Sequence, residues 1–121
     1  MFRDLYSQVE AATKLSLVEF LQDQNLRSRV RKAVTEMLSL VEQEGKSLVD
    51  GDDVMWNLVK FGVISTSLAQ EILDIIDVVN QEDDALLYAS LVRIMEDLEE
   101  AYHAIMSRKA RAQGSFNDRT P

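Results

Sequence analysis

The sequence predicts an all-α protein, a four- to five-helix bundle closed by a long C-terminal helix. Three observations carry this: apolar residues recur three or four positions apart almost throughout, no convincing run alternates with period two, and only four Gly and one Pro interrupt 121 residues. The length suits one domain with a single core. That domain is placed at residues 1–112, with a flexible tail at 113–121 (QGSFNDRTP), where the apolar period is lost.

The first helix is expected over about residues 2–23, with Leu5, Val9, Ala12, Leu17 and Leu21 inward and Phe20 beside them. DQN interrupts it. A second helix starts near Ser28, turns Val30, Ala33, Val34, Met37, Leu40 and Val41 to the core, and ends at Gly45 in a left-handed turn. Asp50 or Asp52 then caps a short third helix, Asp53 favours its positive end, and Gly62 stops it after Val54 or Met55, Leu58 and Phe61 are buried. Ser65 or Ser67 caps a fourth helix, Ser67 and Gln70 having capping-box spacing, with Leu68, Ile72, Ile75, Ile76 and Val79 as its inner stripe. Glu82, Asp83 and Asp84 open the fifth.

That last helix, about residues 82–111, carries Leu87, Leu91, Ile94, Leu98, Ala101 and Ile105 at alternating gaps of four and three, a heptad seam. Met95, Tyr102 and Met106 widen it into a second face. At 1.5 Å per residue it runs about 45 Å, longer than its neighbours can cover, so a homodimer through this helix is expected.

Composition narrows the function. No stretch approaches the roughly 20 apolar residues of a membrane span, MFRDLYSQVE lacks a leader pattern, and a cytoplasmic address is expected. Cysteine is absent, which removes disulfides, thiolate nucleophiles and cysteine-held metals. The net charge of −8 is uneven: residues 1–49 balance seven bases with seven acids, 50–100 hold two bases against thirteen acids, and 101–121 hold four against one. An acidic middle repels phosphate backbones, which disfavours nucleic acid and favours a basic protein partner. The basic cluster RSRVRK, residues 27–32, suits an amphipathic helix whose charges face solvent or that acidic middle.

Searches for chemistry end in structural explanations. DGDD has Phe61 where a calcium loop needs its closing glutamate. Glu100 and His103 have the Glu-x-x-His spacing of di-iron helices. With Glu96, they form the rival reading of an enzyme or metal protein whose carboxylate site is built across helices. The four glycines are too scattered for a phosphate loop, and no serine is paired with a histidine held by a third group. No catalytic residue and no cofactor is expected. Trp56 is a core anchor or an interface residue.

The order VRKAVTEMLSLVEQEG, WNLVKFGVIS, SLAQEILDIIDVVNQ and VRIMEDLEEAYHAI, about residues 28–106, resembles HEPN-type helical bundles, and mannitol-operon repressor-like proteins look similar over the same stretch. The resemblance implies a Gly-Val-Ile-Ser turn leading into a helix that, in catalytic members, bears an arginine, often an asparagine after it, and a histidine that cleave RNA. Setting Val78-Val79-Asn80 on the family's Val-Val-His puts Ile75 and Ile76 where arginine and asparagine would stand. Asn80 cannot exchange a proton near neutral pH as imidazole does. The resemblance therefore implies a degenerate bundle acting by protein–protein interaction: a dimeric regulator, an antitoxin-like protein or a phage or immunity-type inhibitor. Its expected partner surface is Asp74, Asp77, Asn80, Asp83 and Asp84.

Overall fold

The seam expected on the last helix is the surface on which most of the chain folds. A computed structural model describes the backbone of residues 1–118 and the side-chain surroundings of residues 1–112. Among the described residues there are six helices and no strand: α1 (Phe2–Thr13), α2 (Leu17–Gln22), α3 (Gln24–Lys46), α4 (Val54–Lys60), α5 (Thr66–Asn80) and α6 (Asp84–Asp118). Leu87, Leu91, Ile94, Leu98, Ala101 and Ile105 of α6 are all buried. Around them pack α1, α2, α3 and α5, while α4 lies against α3 and α5. The backbone of α6 is helical past residue 111, and the expectation of a flexible tail at 113–121 lies outside the described side chains and, from 119 on, outside the described residues.

The single first helix expected over residues 2–23 is two helices. Ser16 accepts a hydrogen bond from Glu19 N at 3.1 Å, and Glu19 Oε1 accepts one from Ser16 N at 2.9 Å, a reciprocal box that starts a new helix. The restart turns Phe20 fully inward and leaves Leu17, Val18 and Leu21 exposed, contrary to the expected stripe. Tyr88 lies against Phe20 with ring centroids 5.3 Å apart and donates its hydroxyl to Leu15 O, fastening the α1–α2 corner to α6. Helix α3 begins four residues before Ser28 because Asp23 Oδ1 accepts from Leu26 N at 3.0 Å.

Gly45 does not end α3. It lies inside the helix, and a Cβ there would stand 2.9 Å from Val54 Cγ1 and 3.1 Å from Leu58 Cδ1. Glycine is needed for the close approach of α4. The left-handed turns fall at Gly51 (φ 98°) and Gly62 (φ 78°). At Gly62, Val63 N donates to Leu58 O and Gly62 N to Val59 O, a paired bond set that closes α4. Phe61, expected in the core, is 54% exposed. Arg108 of α6 lies over its ring and donates to Phe61 O and Gly62 O, so the turn is held from outside. Ser65, not Ser67, caps α5, its hydroxyl accepting from Leu68 N at 3.0 Å.

Two of the three residues of the second face of α6 are met within the chain. Met95 is buried, and Tyr102 stacks on Phe2 of α1 with centroids 4.3 Å apart and planes 6° from parallel. Phe2, Leu5, Val9 and Ala12 turn the whole inner side of α1 to the core.

Leu91→Ala should lower the unfolding free energy by about 2–5 kcal/mol through transfer and cavity terms. The neighbouring Val92→Ala, at a 56% exposed site, should change it by less than about 0.5 kcal/mol. Urea titration of both variants checks the facing of the seam.

Candidate functional site

Two cations of the basic cluster determine how the acidic segment is held. Arg31 Nη1 donates to Val79 O at 2.6 Å and to Gln81 O at 3.0 Å, while its Nη2 lies 2.9 Å from Asp84 Oδ1. Arg27 Nε reaches Asp84 Oδ2 at 3.0 Å, and its Nη1 donates to Leu21 O. One carboxylate and two carbonyls at the α5–α6 junction are thereby clamped to α3, and the carbonyl left free at the C-terminus of α5 gains a cationic donor. The charges of the cluster do face the acidic middle, through these two residues.

The five residues expected to form a partner surface are divided by this arrangement. Asp84 is held by the two arginines. Asp83 caps α6, its Oδ1 accepting from Leu86 N at 3.0 Å. Asp74 accepts from Gln70 Nε2 and lies 3.5 Å from Arg93, toward α6. Asp77 and Asn80 are exposed on α5, three residues apart and so neighbours on the helix surface. Of the neighbouring isoleucines of α5, Ile75 is buried and Ile76 is only half-buried.

Ile76 is half-buried because it floors a trough between α3 and α5, closed at one end by the start of α4. Leu38, Met55, Trp56, Leu73, Ile76 and Val79 supply its apolar surface, around a volume of about 360 Å³. Its charged lining is wholly acidic, Glu42, Asp52 and Asp53, with Thr35, Ser39 and Asn80 as neutral polar groups. Trp56 is thus half-buried in a concave surface. Residue by residue the trough is hard to see in the sequence, because Leu38, Ile76 and Val79 have the spacing of core residues.

A second cluster joins α5 to α6. Asp97 lies largely within the fold, and its Oδ2 has no hydrogen-bond partner. Arg93 Nε stands 3.7 Å away, an ion-pair distance too long for a hydrogen bond. Burial pushes the Asp97 carboxyl up to about 7, helped by a hydrogen bond and charge from Glu71 and by Glu100, against the pull of Arg93. The signal was present: Glu71 sits between Leu68 and Ile75, and Asp97 between Ile94 and Ala101, at spacings of three and four that place each acid beside a buried seam.

Glu96, Glu100 and His103 are exposed on α6. No group of three or more His, Cys, Asp or Glu side chains among the described residues is placed to hold a metal ion. His103 borders a shallow cavity with Phe2, Arg3 and Tyr102. No helix among the described residues is long and apolar enough to cross a membrane. Comparison with known proteins finds no matching family model, no similar curated protein and no similar solved structure.

The raised Asp97 carboxyl has a signed consequence. In the unfolded chain it ionises near the ordinary 3.8, in the folded chain near 7. The contribution of Asp97 to stability is therefore undiminished below about pH 4, falls as pH rises through that interval, and levels off above it. Asp97→Asn should flatten this slope and exceed the wild type in stability at pH 8 by at least about 1 kcal/mol, measured by urea titration from pH 4 to pH 9.

Proposed function

We propose that the protein is a non-catalytic helical-bundle module that acts by binding a basic protein partner, in the manner of a regulator, an antitoxin-like or immunity-like neutraliser, or a phage-encoded inhibitor. One observation carries this reading. Arg27 and Arg31 are engaged by a single aspartate and by backbone carbonyls, whereas Asp52, Asp53, Asp77, Glu82 and Glu100 make no ion pair among the described residues. At the trough Glu42 is answered by Lys46 at 3.1 Å, whereas Asp52 and Asp53, and Asp77 on the adjoining side of α5, have no ion-pair partner among the described residues, so the local field is negative, the condition for steering a cationic partner.

A degenerate HEPN-like bundle is the fold-family assignment within this reading, supported by the helix order and by the long closing helix. Absence of ribonuclease action belongs to it too, since apolar Ile75 and Ile76 occupy the places of the family's arginine and asparagine. The homodimer expected through α6 moves, in this reading, to α2, because α1 stacks on the second face of α6 while Leu17, Val18 and Leu21 are uncovered. A cytoplasmic setting fits these properties.

Asp52→Lys, Asp53→Asn and Asp77→Lys together alter three exposed acids and keep a good capping residue at position 53. The triple variant should lose capture of a basic protein from lysate at low salt while its stability shifts by no more than about 1 kcal/mol. Undiminished capture by the variant speaks against the reading. Sedimentation at several concentrations should show a dimer that Val18→Asp converts to monomer, and a wild-type monomer throughout removes self-association from the account.

A further inference from the structure

We infer that the trough between α3 and α5 is the docking site for one amphipathic helix of a partner protein, seated with a basic end against Asp52 and Asp53. This rests on the binding reading above and assigns it a place and a ligand geometry.

Length, shape and charge each contribute. On α3 the trough runs from Thr35 to Glu42, and on α5 from Ile72 to Asn80. At 1.5 Å per residue these stretches are about 10 and 12 Å long, the rise of seven to eight helical residues. A ligand helix places apolar anchors at i, i+3 or i+4, and i+7 over that distance, the usual spacing of a helix laid in a groove. The floor of Leu38, Leu73, Ile76 and Val79 is apolar along this run, and Trp56 supplies the kind of half-buried aromatic that anchors interfaces.

The two ends differ in charge, and contacts elsewhere identify them. Gly45 abuts Val54, so α4 begins beside the C-terminal end of α3, where Glu42, Asp52 and Asp53 gather. Arg31 bonds Val79 O, so the opposite end lies where α5 finishes, and its polar lining is Thr35 and Asn80. Carboxylates at one end and neutral amide and hydroxyl at the other favour a helix whose cations are grouped at one end of its apolar stripe. A uniformly basic surface would leave half its charges unanswered. Lys, Arg and His are absent from the lining, and although Lys46 answers Glu42 at 3.1 Å, Asp52 and Asp53 have no ion-pair partner among the described residues and are left to meet the cations of such a ligand.

The protein carries one tryptophan, and it lines the trough, so docking reads out directly in its emission. The probe is a synthetic helical peptide with leucines at i, i+4 and i+7 and three lysines at one end. It is compared with a scrambled peptide of equal composition and with a version carrying glutamate for lysine. The expected result is a blue shift of Trp56 emission with the first peptide and at least tenfold weaker binding of the other two. Ser39→Arg, at an exposed site in the trough wall, should weaken the first peptide at least tenfold without loss of helicity, and Ile76→Glu should do the same.

Equal binding of peptide and scramble, with Trp56 unmoved and Ser39→Arg silent, overturns the trough while the capture experiment still decides the broader reading. No binding by any peptide also overturns it. A Trp56 shift produced by raising protein concentration alone assigns the trough to a second copy. Octylamine binding as tightly as the peptide assigns it to a small amphiphilic cation. Either outcome ends the proposal.

Discussion

An unbroken apolar seam along α6 is the constraint on which the structure depends. Six residues spaced alternately by four and three all reach the interior, and four other helices pack against that one rod. Each turn from Leu87 to Ile105 carries a buried seam residue, so each neighbour has its position set by which part of the seam it covers. Burial of apolar surface is non-directional. The directional detail comes from polar fasteners at the edges: Tyr88 to the α1–α2 corner, Arg108 to the α4–α5 turn, Lys109 to Glu44 of α3.

The distribution of charge follows from those fasteners. In the acidic middle, the only side-chain cations are Lys60 and Arg93, and Arg93 divides itself between Asp74 and Asp97. The basic residues of α3 that reach this region are directed at the α5–α6 junction, where they answer backbone carbonyls as well as Asp84. A protein can be strongly acidic and still leave no accessible cluster of acid when its cations are evenly interspersed. Here they are not interspersed, and the unpaired carboxylates of Asp52 and Asp53 fall beside an elongated concave apolar surface.

How much of this was legible depended on whether a residue's role was local. The α6 seam, the Gly62 stop, the Ser65 cap and the acidic start of α6 are governed by spacing and backbone conformation within a few residues, and they were readable; the cap expected of Asp50 or Asp52 is not made, since Asp53 precedes α4 and its side chain forms no capping bond. Ser16 and Glu19 were readable too, but the helical spacing of Leu17 and Leu21 with Val9 and Ala12 masked the break. Once the helix restarts, the phase changes and Phe20 takes the inward place. Gly45 misled for a related reason: a glycine near a helix end suggests a left-handed turn, whereas its cause is a neighbour, α4, more than eight residues away in sequence. The trough belongs to the same class, for half-buried Leu38, Ile76 and Val79 have core spacing, and only the packing of three helices leaves them uncovered. Of the residues expected as a partner surface, Asp84 is paired with Arg27 and Arg31, and Asp83 caps α6 while remaining exposed, roles set by contacts that spacing alone does not show.

The missing side chain at Gly45 has a mechanical meaning. With α4 pressed directly onto the backbone of α3, the wall bearing Asp52, Asp53 and Trp56 cannot slide along its neighbour without collision, and at the far end the arginine clamp stops α5 from peeling outward. The recess is braced at both extremities, like a vice already set to width. In the proposed docking, walls fastened at both ends leave the ordering of the contact chiefly to the incoming helix.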